Sequence, residues 1–168
     1  DDDTAQTCDS LQVTVLGLAA VWTLLQLHVR LIGGADGLFH LLHPIPLLLS
    51  ATATTAMVVV AGGDRVRAVW VGLVGSAPIC SVSDIVLPFA GGQLLGADMH
   101  FHLCLLDHPL TIWPFVAVGI ACGLVAPRFV ARSTFYSHAG HVLVSAMASV
   151  LYLVSFGLVL SIGNLALV

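Results

Sequence analysis

Residues 34–40 read Gly-Ala-Asp-Gly-Leu-Phe-His and residues 96–102 read Gly-Ala-Asp-Met-His-Phe-His, so the pattern Gly-Ala-Asp-x-x-Phe-His occurs twice. His43-Pro44 follows the first copy and His108-Pro109 the second, and each His-Pro pair opens a strongly apolar run that ends near two arginines. Matched features in the same order are typical of an internal duplication. The sequence therefore predicts two copies of a helical hairpin.

The composition indicates a protein of the lipid bilayer. Of its 168 residues, 58% are hydrophobic and only 8% are charged, and the mean hydropathy is +1.04. This leaves too little polar surface to cover a water-soluble protein. The net charge is −4, and the five arginines form no basic surface of the kind that nucleic-acid binding requires. We therefore expect an integral membrane protein that does not bind nucleic acid.

A membrane-spanning helix needs about 20 consecutive, mostly apolar residues. Segments of this kind predict an all-α membrane protein with about five transmembrane helices, at residues 11–33, 44–62, 68–95, 110–127 and 135–163. The third segment carries helix-disrupting residues on both sides of Asp84, namely Gly75, Pro78, Pro88, Gly91 and Gly92. We expect this helix to be kinked or broken near Asp84.

The predicted spans divide the chain into a polar N-terminal tail and one transmembrane domain. The tail is residues 1–10, and the domain comprises repeat one at 11–67, repeat two at 68–132 and a fifth helix at 133–168. The two hairpins would run in the same direction, as parallel repeats about an axis along the membrane normal.

Arginine placement predicts the orientation. Arg65, Arg67, Arg128 and Arg132 fall in the loops on one side, and Arg30 lies on the other. The positive-inside rule makes the side with four arginines cytoplasmic. The N-terminus is then cytoplasmic, and both Gly-Ala-Asp loops are extracytoplasmic.

The outer loops of this topology are rich in imidazole and carboxylate groups. Such groups bind Zn, Ni, Co, Fe and Mn, and a nearby Met99 and Cys104 would suit Cu. The sequence thus predicts a divalent transition-metal site, with zinc as the leading metal and with candidate ligands Asp36, His40, His43, Asp98, His100, His102, Asp107 and His108. The alternative is structural: Asp36 and Asp98 would cap short helices, and the histidines would lie at the membrane interface.

Four further polar residues would lie within the spans or at their ends: His28, Asp84, His138 and His141. An ionisable side chain inside the membrane is a functional-site hypothesis by default, and a spacing of three puts His138 and His141 on one helix face. These residues would form a pathway from the outer loops to the cytoplasmic side. Their structural alternative is a protonated Asp84 and two interfacial histidines.

These patterns favour a metal-ion transporter or channel. Because five helices make a small bundle, we expect a homo-oligomer. Three other functions stay open at this point: a membrane metalloenzyme with Zn or Fe acting on a lipid-like substrate, a b-type haem protein, and an accessory subunit without a site. The sequence lacks the common hydrolase and phosphate-binding motifs, so it does not decide whether the chain is an enzyme.

Overall fold

The computed structural model describes residues 34–96 and 98–156, apart from the side chains at 134 and 135, together with positions 15, 16 and 19. Within these ranges the chain is helical and contains no β-strand. Most of the predicted first span, including the candidate pathway residue His28, lies outside the described residues. The prediction of an all-helical chain is therefore confirmed for the part that the structure describes.

The first long helix consists of two segments that meet at His43. They are α1, Gly34–Leu42, and α2, Pro44–Val60. The His43 N–H donates to the Phe39 carbonyl at 2.8 Å, and Pro44 occupies the first turn of α2, where a missing N–H breaks no helical bond. The apolar helical stretch Gly34–Val60, 27 residues long, thus includes residues 34–43, which precede the span predicted at 44–62.

The second long helix carries the irregularity predicted near Asp84. It comprises α3, Arg65–Ser81, a π-helical segment, Val82–Val86, and α4, Leu87–Leu94. The Asp64 carboxylate caps its start by accepting the Val66 N–H at 3.2 Å. The apolar stretch Arg65–Leu94 is continuous over 30 residues. The irregularity is therefore a π-helical segment, which inserts a residue into the turn that holds Asp84.

Shorter helices complete the described chain. They are α5, Cys104–Asp107, α6, Pro109–Val125, α7, Pro127–Arg132, and α8, Thr134–Ser155. Within α8, Tyr136–Ser155 is a third stretch long and apolar enough to cross a membrane, whereas α6 is apolar but has 17 residues. The described residues therefore contain three potential spans.

Helix α2 packs in parallel against α6 through two glycines. A Cβ placed on Gly119 would lie 2.5 Å from the Leu48 carbonyl oxygen, and one on Gly123 would lie 2.6 Å from the Thr52 carbonyl oxygen. The contacts advance together along both helices, which shows that they run in the same direction. This Gly-x-x-x-Gly spacing lets the two backbones approach closely. Such close packing stabilises helix pairs in a membrane, where the hydrophobic effect contributes little to their association.

The two Gly-Ala-Asp copies have different structures. The first lies in α1, and its Phe39 is buried against α8. In the second, residues 98–103 are non-helical and lead into the short α5. His43 is consequently buried while its counterpart His108 is exposed. The matching His-Pro pairs do open two parallel helices of 17 residues each, but the duplication itself stays a prediction.

Candidate metal centre

Two histidines and a cysteine converge beside the C-terminal half of α1. His40 comes from α1, His102 from the loop 98–103, and Cys104 from the start of α5. One ligand atom from each lies within 4.8 Å of those of the other two. His40 and His102 are the matching last residues of the two Gly-Ala-Asp copies, so the fold brings the equivalent positions together.

Each imidazole has an acceptor close to its Nδ1 atom. His40 Nδ1 lies 2.9 Å from the Asp36 carbonyl oxygen, and His102 Nδ1 lies 3.1 Å from Asp107 Oδ2. Both partners are acceptors, which favours a hydrogen on Nδ1 and a lone pair on Nε2 in each ring. Histidines that bind metals are commonly oriented in this way, through their second ring nitrogen.

The two Nε2 atoms face each other at 3.5 Å. Two lone pairs at this distance repel each other unless a proton or a metal ion lies between them. For a tetrahedral zinc with Zn–N bonds of about 2.0–2.1 Å, simple trigonometry separates two nitrogen ligands by about 3.3–3.4 Å. The pair is therefore spaced almost as two ligands of one zinc ion would be.

The surroundings of His102 favour its neutral imidazole. Burial lowers the pKa of His102, and the Asp107 carboxylate only partly opposes that effect. Both imidazoles would need to be neutral to bind a metal, and the environment of His102 favours its neutral form. The Cys104 thiol is buried, and this burial raises its pKa to about 12. A bound metal would have to displace the thiol proton.

A third imidazole completes the cluster. The ring of His108 lies 4.9 Å from the ring of His40 and 5.1 Å from that of His102, measured between centroids. It is exposed, in contrast to the half-buried rings of His40 and His102. His108 is therefore placed where it could supply a fourth ligand after a side-chain rotation.

The remaining predicted ligands divide into supporting and distant groups. The Asp107 carboxylate lies beside His102 Nδ1 and accepts the Leu103 N–H at 2.8 Å. The Asp36 carboxylate lies 3.5 Å from His40 Nδ1 and is largely exposed. Asp98 makes no side-chain hydrogen bond or ion pair with the described residues, and His100 contributes its backbone oxygen to the Tyr152 hydroxyl at 3.5 Å. Neither joins the cluster in this structure.

A second polar cluster lies inside the bundle. Here His43 Nδ1 lies 3.2 Å from Asp84 Oδ2, and the hydroxyls of Ser83 and Ser145 donate to Asp84 Oδ1. His43 was predicted in an outer loop, but its side chain is fully buried, as is that of Asp84. Ser145 on α8 was not singled out in the sequence, because a lone serine in an apolar helix gives no signal.

The two histidines at the start of α8 do not form a ligand pair. His141 Nδ1 donates to the Pro46 carbonyl at 3.0 Å, whereas His138 is exposed. His141 is one turn before Ser145, so it lies on the face of α8 that approaches Asp84. His138 makes no side-chain contact with a described residue that would add it to this cluster.

Comparison with known proteins gives no further guide to the site, because no family model, curated protein or solved structure matches the chain.

Proposed function

We propose that this chain is an integral membrane protein that binds a divalent transition metal through His40, His102 and Cys104. The observation that carries the proposal is the pair of Nε2 atoms that face each other at 3.5 Å with both Nδ1 atoms already engaged. In this arrangement the two Nε2 lone pairs have no positively charged partner, and a bound cation would be one. The nearby thiol adds a third donor.

The donor set favours zinc or copper. Imidazole and thiolate are borderline to soft ligands, which suit Zn and Cu, whereas Mg and Ca prefer cages of oxygen ligands. Zinc is our first choice because its tetrahedral geometry matches the spacing of the imidazoles. Nickel, cobalt, iron and manganese are the weaker candidates.

We further propose that the metal moves inward from this centre. His43 follows His40 by one helical turn, and its partner Asp84 contacts Ser145 on α8, with His141 one turn further along. Transport also implies the five-helix topology inferred from the sequence, with both Gly-Ala-Asp segments extracytoplasmic, the N-terminus cytoplasmic and a homo-oligomer completing the pathway. These features support one another but are proposals.

A catalytic metal centre is the second candidate function. Three converging protein ligands leave a fourth position, as in zinc enzymes in which that position holds a water. A substrate at such a site would be lipid-like, because the surrounding helices are apolar. Slow metal exchange would favour catalysis, whereas rapid exchange and metal uptake into vesicles that depends on Asp84 would favour transport.

Elemental analysis of the detergent-purified chain tests the metal site. The protein is equilibrated with zinc, freed of excess metal and measured by mass spectrometry. We expect about one zinc per chain, and loss of this zinc in a His40→Ala, His102→Ala variant that elutes as the wild type does. The matched control is His100→Ala, which alters a histidine of the same loop and should retain zinc. Equal zinc in all three proteins would refute the site.

A further inference from the structure

A groove lies between the C-terminal ends of α2 and α6 and the short helix α7. Its volume is about 470 Å³, which falls within the range of about 300–1,000 Å³ that is usual for pockets that hold small molecules. Val59 and Val60 of α2 and Val125 of α6 form an apolar wall, and Arg128 and Phe129 of α7 contribute to the lining. The groove thus combines apolar surface with one positively charged side chain.

The apolar side chains that line the groove are largely exposed. Val125 is 84% exposed and Phe129 is 73% exposed. Val60 is the last residue of the apolar stretch Gly34–Val60, which is long enough to cross a membrane. Because α2 and α6 are parallel and both end at the groove, it would lie where the hydrocarbon region of a bilayer meets the headgroups.

Positive charge is concentrated at this end of the helices, where α2 leads into α3 and α6 leads into α7. Every arginine in the described part of the chain is exposed and lies here, namely Arg65, Arg67, Arg128 and Arg132. The aspartate in the loop between α2 and α3, Asp64, is engaged as the cap of α3. Arg128 forms no ion pair or side-chain hydrogen bond with any residue that the structure describes. Its guanidinium group is therefore available to an anion from outside the chain.

We propose that this groove binds one anionic phospholipid of the membrane, with Arg128 on the phosphate and an acyl chain against Val125 and Phe129. A guanidinium group matches the geometry of a phosphate through paired N–H donors, and basic pockets between transmembrane helices bind anionic lipid headgroups. A free phosphate would leave the apolar lining uncovered, and a zwitterionic lipid carries its own cation, which competes with Arg128 for the phosphate. The proposal rests on the membrane location in the proposed function but not on its metal centre.

Native mass spectrometry of the full chain, released from detergent micelles, tests this site. The micelles contain equal amounts of phosphatidylglycerol and phosphatidylcholine whose acyl chains differ in mass. We expect the chain to retain phosphatidylglycerol in preference to phosphatidylcholine. Arg128→Gln should lower the apparent affinity for phosphatidylglycerol about tenfold, which corresponds to one hydrogen bond to a charged group. Val125→Trp keeps the charge but places a larger side chain in the groove, so it should also weaken retention.

The matched control is Arg67→Gln, which removes the same charge at the same end of the helices but from a residue that does not line the groove. Its effect should be less than about twofold, because a charge outside the groove is screened by salt. Circular dichroism and elution volume establish that each variant is folded.

Three results would overturn the proposal. They are equal retention of the two lipids by the wild type, equal losses in Arg67→Gln and Arg128→Gln, and displacement of phosphatidylglycerol by millimolar inorganic phosphate. Unchanged retention in a folded Val125→Trp would contradict the position of the acyl chain. The measurements need no bound metal, so failure of the zinc experiment would not affect them.

Discussion

Replacing Asp107 by Asn tests whether the carboxylate beside His102 Nδ1 supports a metal ligand. Asp107 Oδ2 lies 3.1 Å from His102 Nδ1 and accepts the Leu103 N–H at 2.8 Å, so one oxygen contacts both the ring and the loop. Removing such a partner of a metal-binding histidine typically weakens metal affinity about 10- to 100-fold. At about 1.4 kcal/mol for each factor of ten, the expected loss is about 1.4–2.8 kcal/mol.

Asp36→Asn is the matched control, because it makes the same change beside the other imidazole. The Asp36 carboxylate is 3.5 Å from His40 Nδ1 and its side chain is 71% exposed, while the Asp36 backbone oxygen holds that nitrogen at 2.9 Å. The substitution leaves this backbone bond in place, so affinity should change by less than about threefold, in the range of a weak exposed contact. Zinc affinity is measured by competition with a coloured chelator. Equal effects of the two substitutions, or none from Asp107→Asn, would refute the assigned geometry.

Three other properties follow from the structure. Gly119→Ala should destabilise the folded chain by about 1–3 kcal/mol in denaturant titrations in detergent, because the added methyl group meets a backbone oxygen; Gly91→Ala, which meets nothing within 4 Å, should not. Apparent zinc affinity should rise about tenfold per pH unit from about pH 7 to pH 9, because the free Cys104 thiol, with a pKa raised to about 12, must release its proton on binding. The lowered pKa of His102 keeps its ring neutral in this range. A Cys104→Ala variant that still binds zinc should therefore show a zinc affinity that no longer rises with pH. Asp64→Ala should cost about 1 kcal/mol of stability in the same titrations, since it removes the cap of α3.

The helices of the described chain are largely predictable from apolar run length. A long, mostly apolar run such as 68–95 can satisfy its backbone groups in lipid only as a helix, and the structure has one there. The start of the first long helix was predicted too late. His43-Pro44 resembles a loop in the sequence, yet proline is compatible with the first turn of a helix, and Phe39 gains a buried position by extending the helix toward the N-terminus.

The candidate site was predictable in residue type but not in detail. The repeated pattern singled out His40 and His102, and their imidazoles are adjacent in the structure. The repeat also makes His100 the weaker candidate, because it has no counterpart in the first copy, but the direction of each loop side chain depends on its tertiary contacts. The role of Cys104 as the third converging donor likewise depends on how α5 packs, because a cysteine in an apolar context is usually a small core residue.

The partner of Asp84 shows why the interior polar cluster could not be read from sequence. The cost of an unpaired charge in the membrane predicts that Asp84 is neutral, paired, ligating or in contact with water. The contact with His43 joins positions 41 residues apart through a π-helical turn. The partners that the sequence suggests for Asp84 are Ser81, Ser83 and a histidine of the first or fifth predicted helix. Only the packing of α1, α8 and the π-helical segment selects His43 and Ser145.

X-ray absorption spectroscopy of the zinc-loaded chain tests the central proposal most directly. A zinc ion held by His40, His102 and Cys104 should show imidazole nitrogens at about 2.0–2.1 Å and one sulfur at about 2.3 Å, and the sulfur should disappear in Cys104→Ala. A shell of oxygen ligands only, or a spectrum unchanged by that substitution, would contradict the proposed centre.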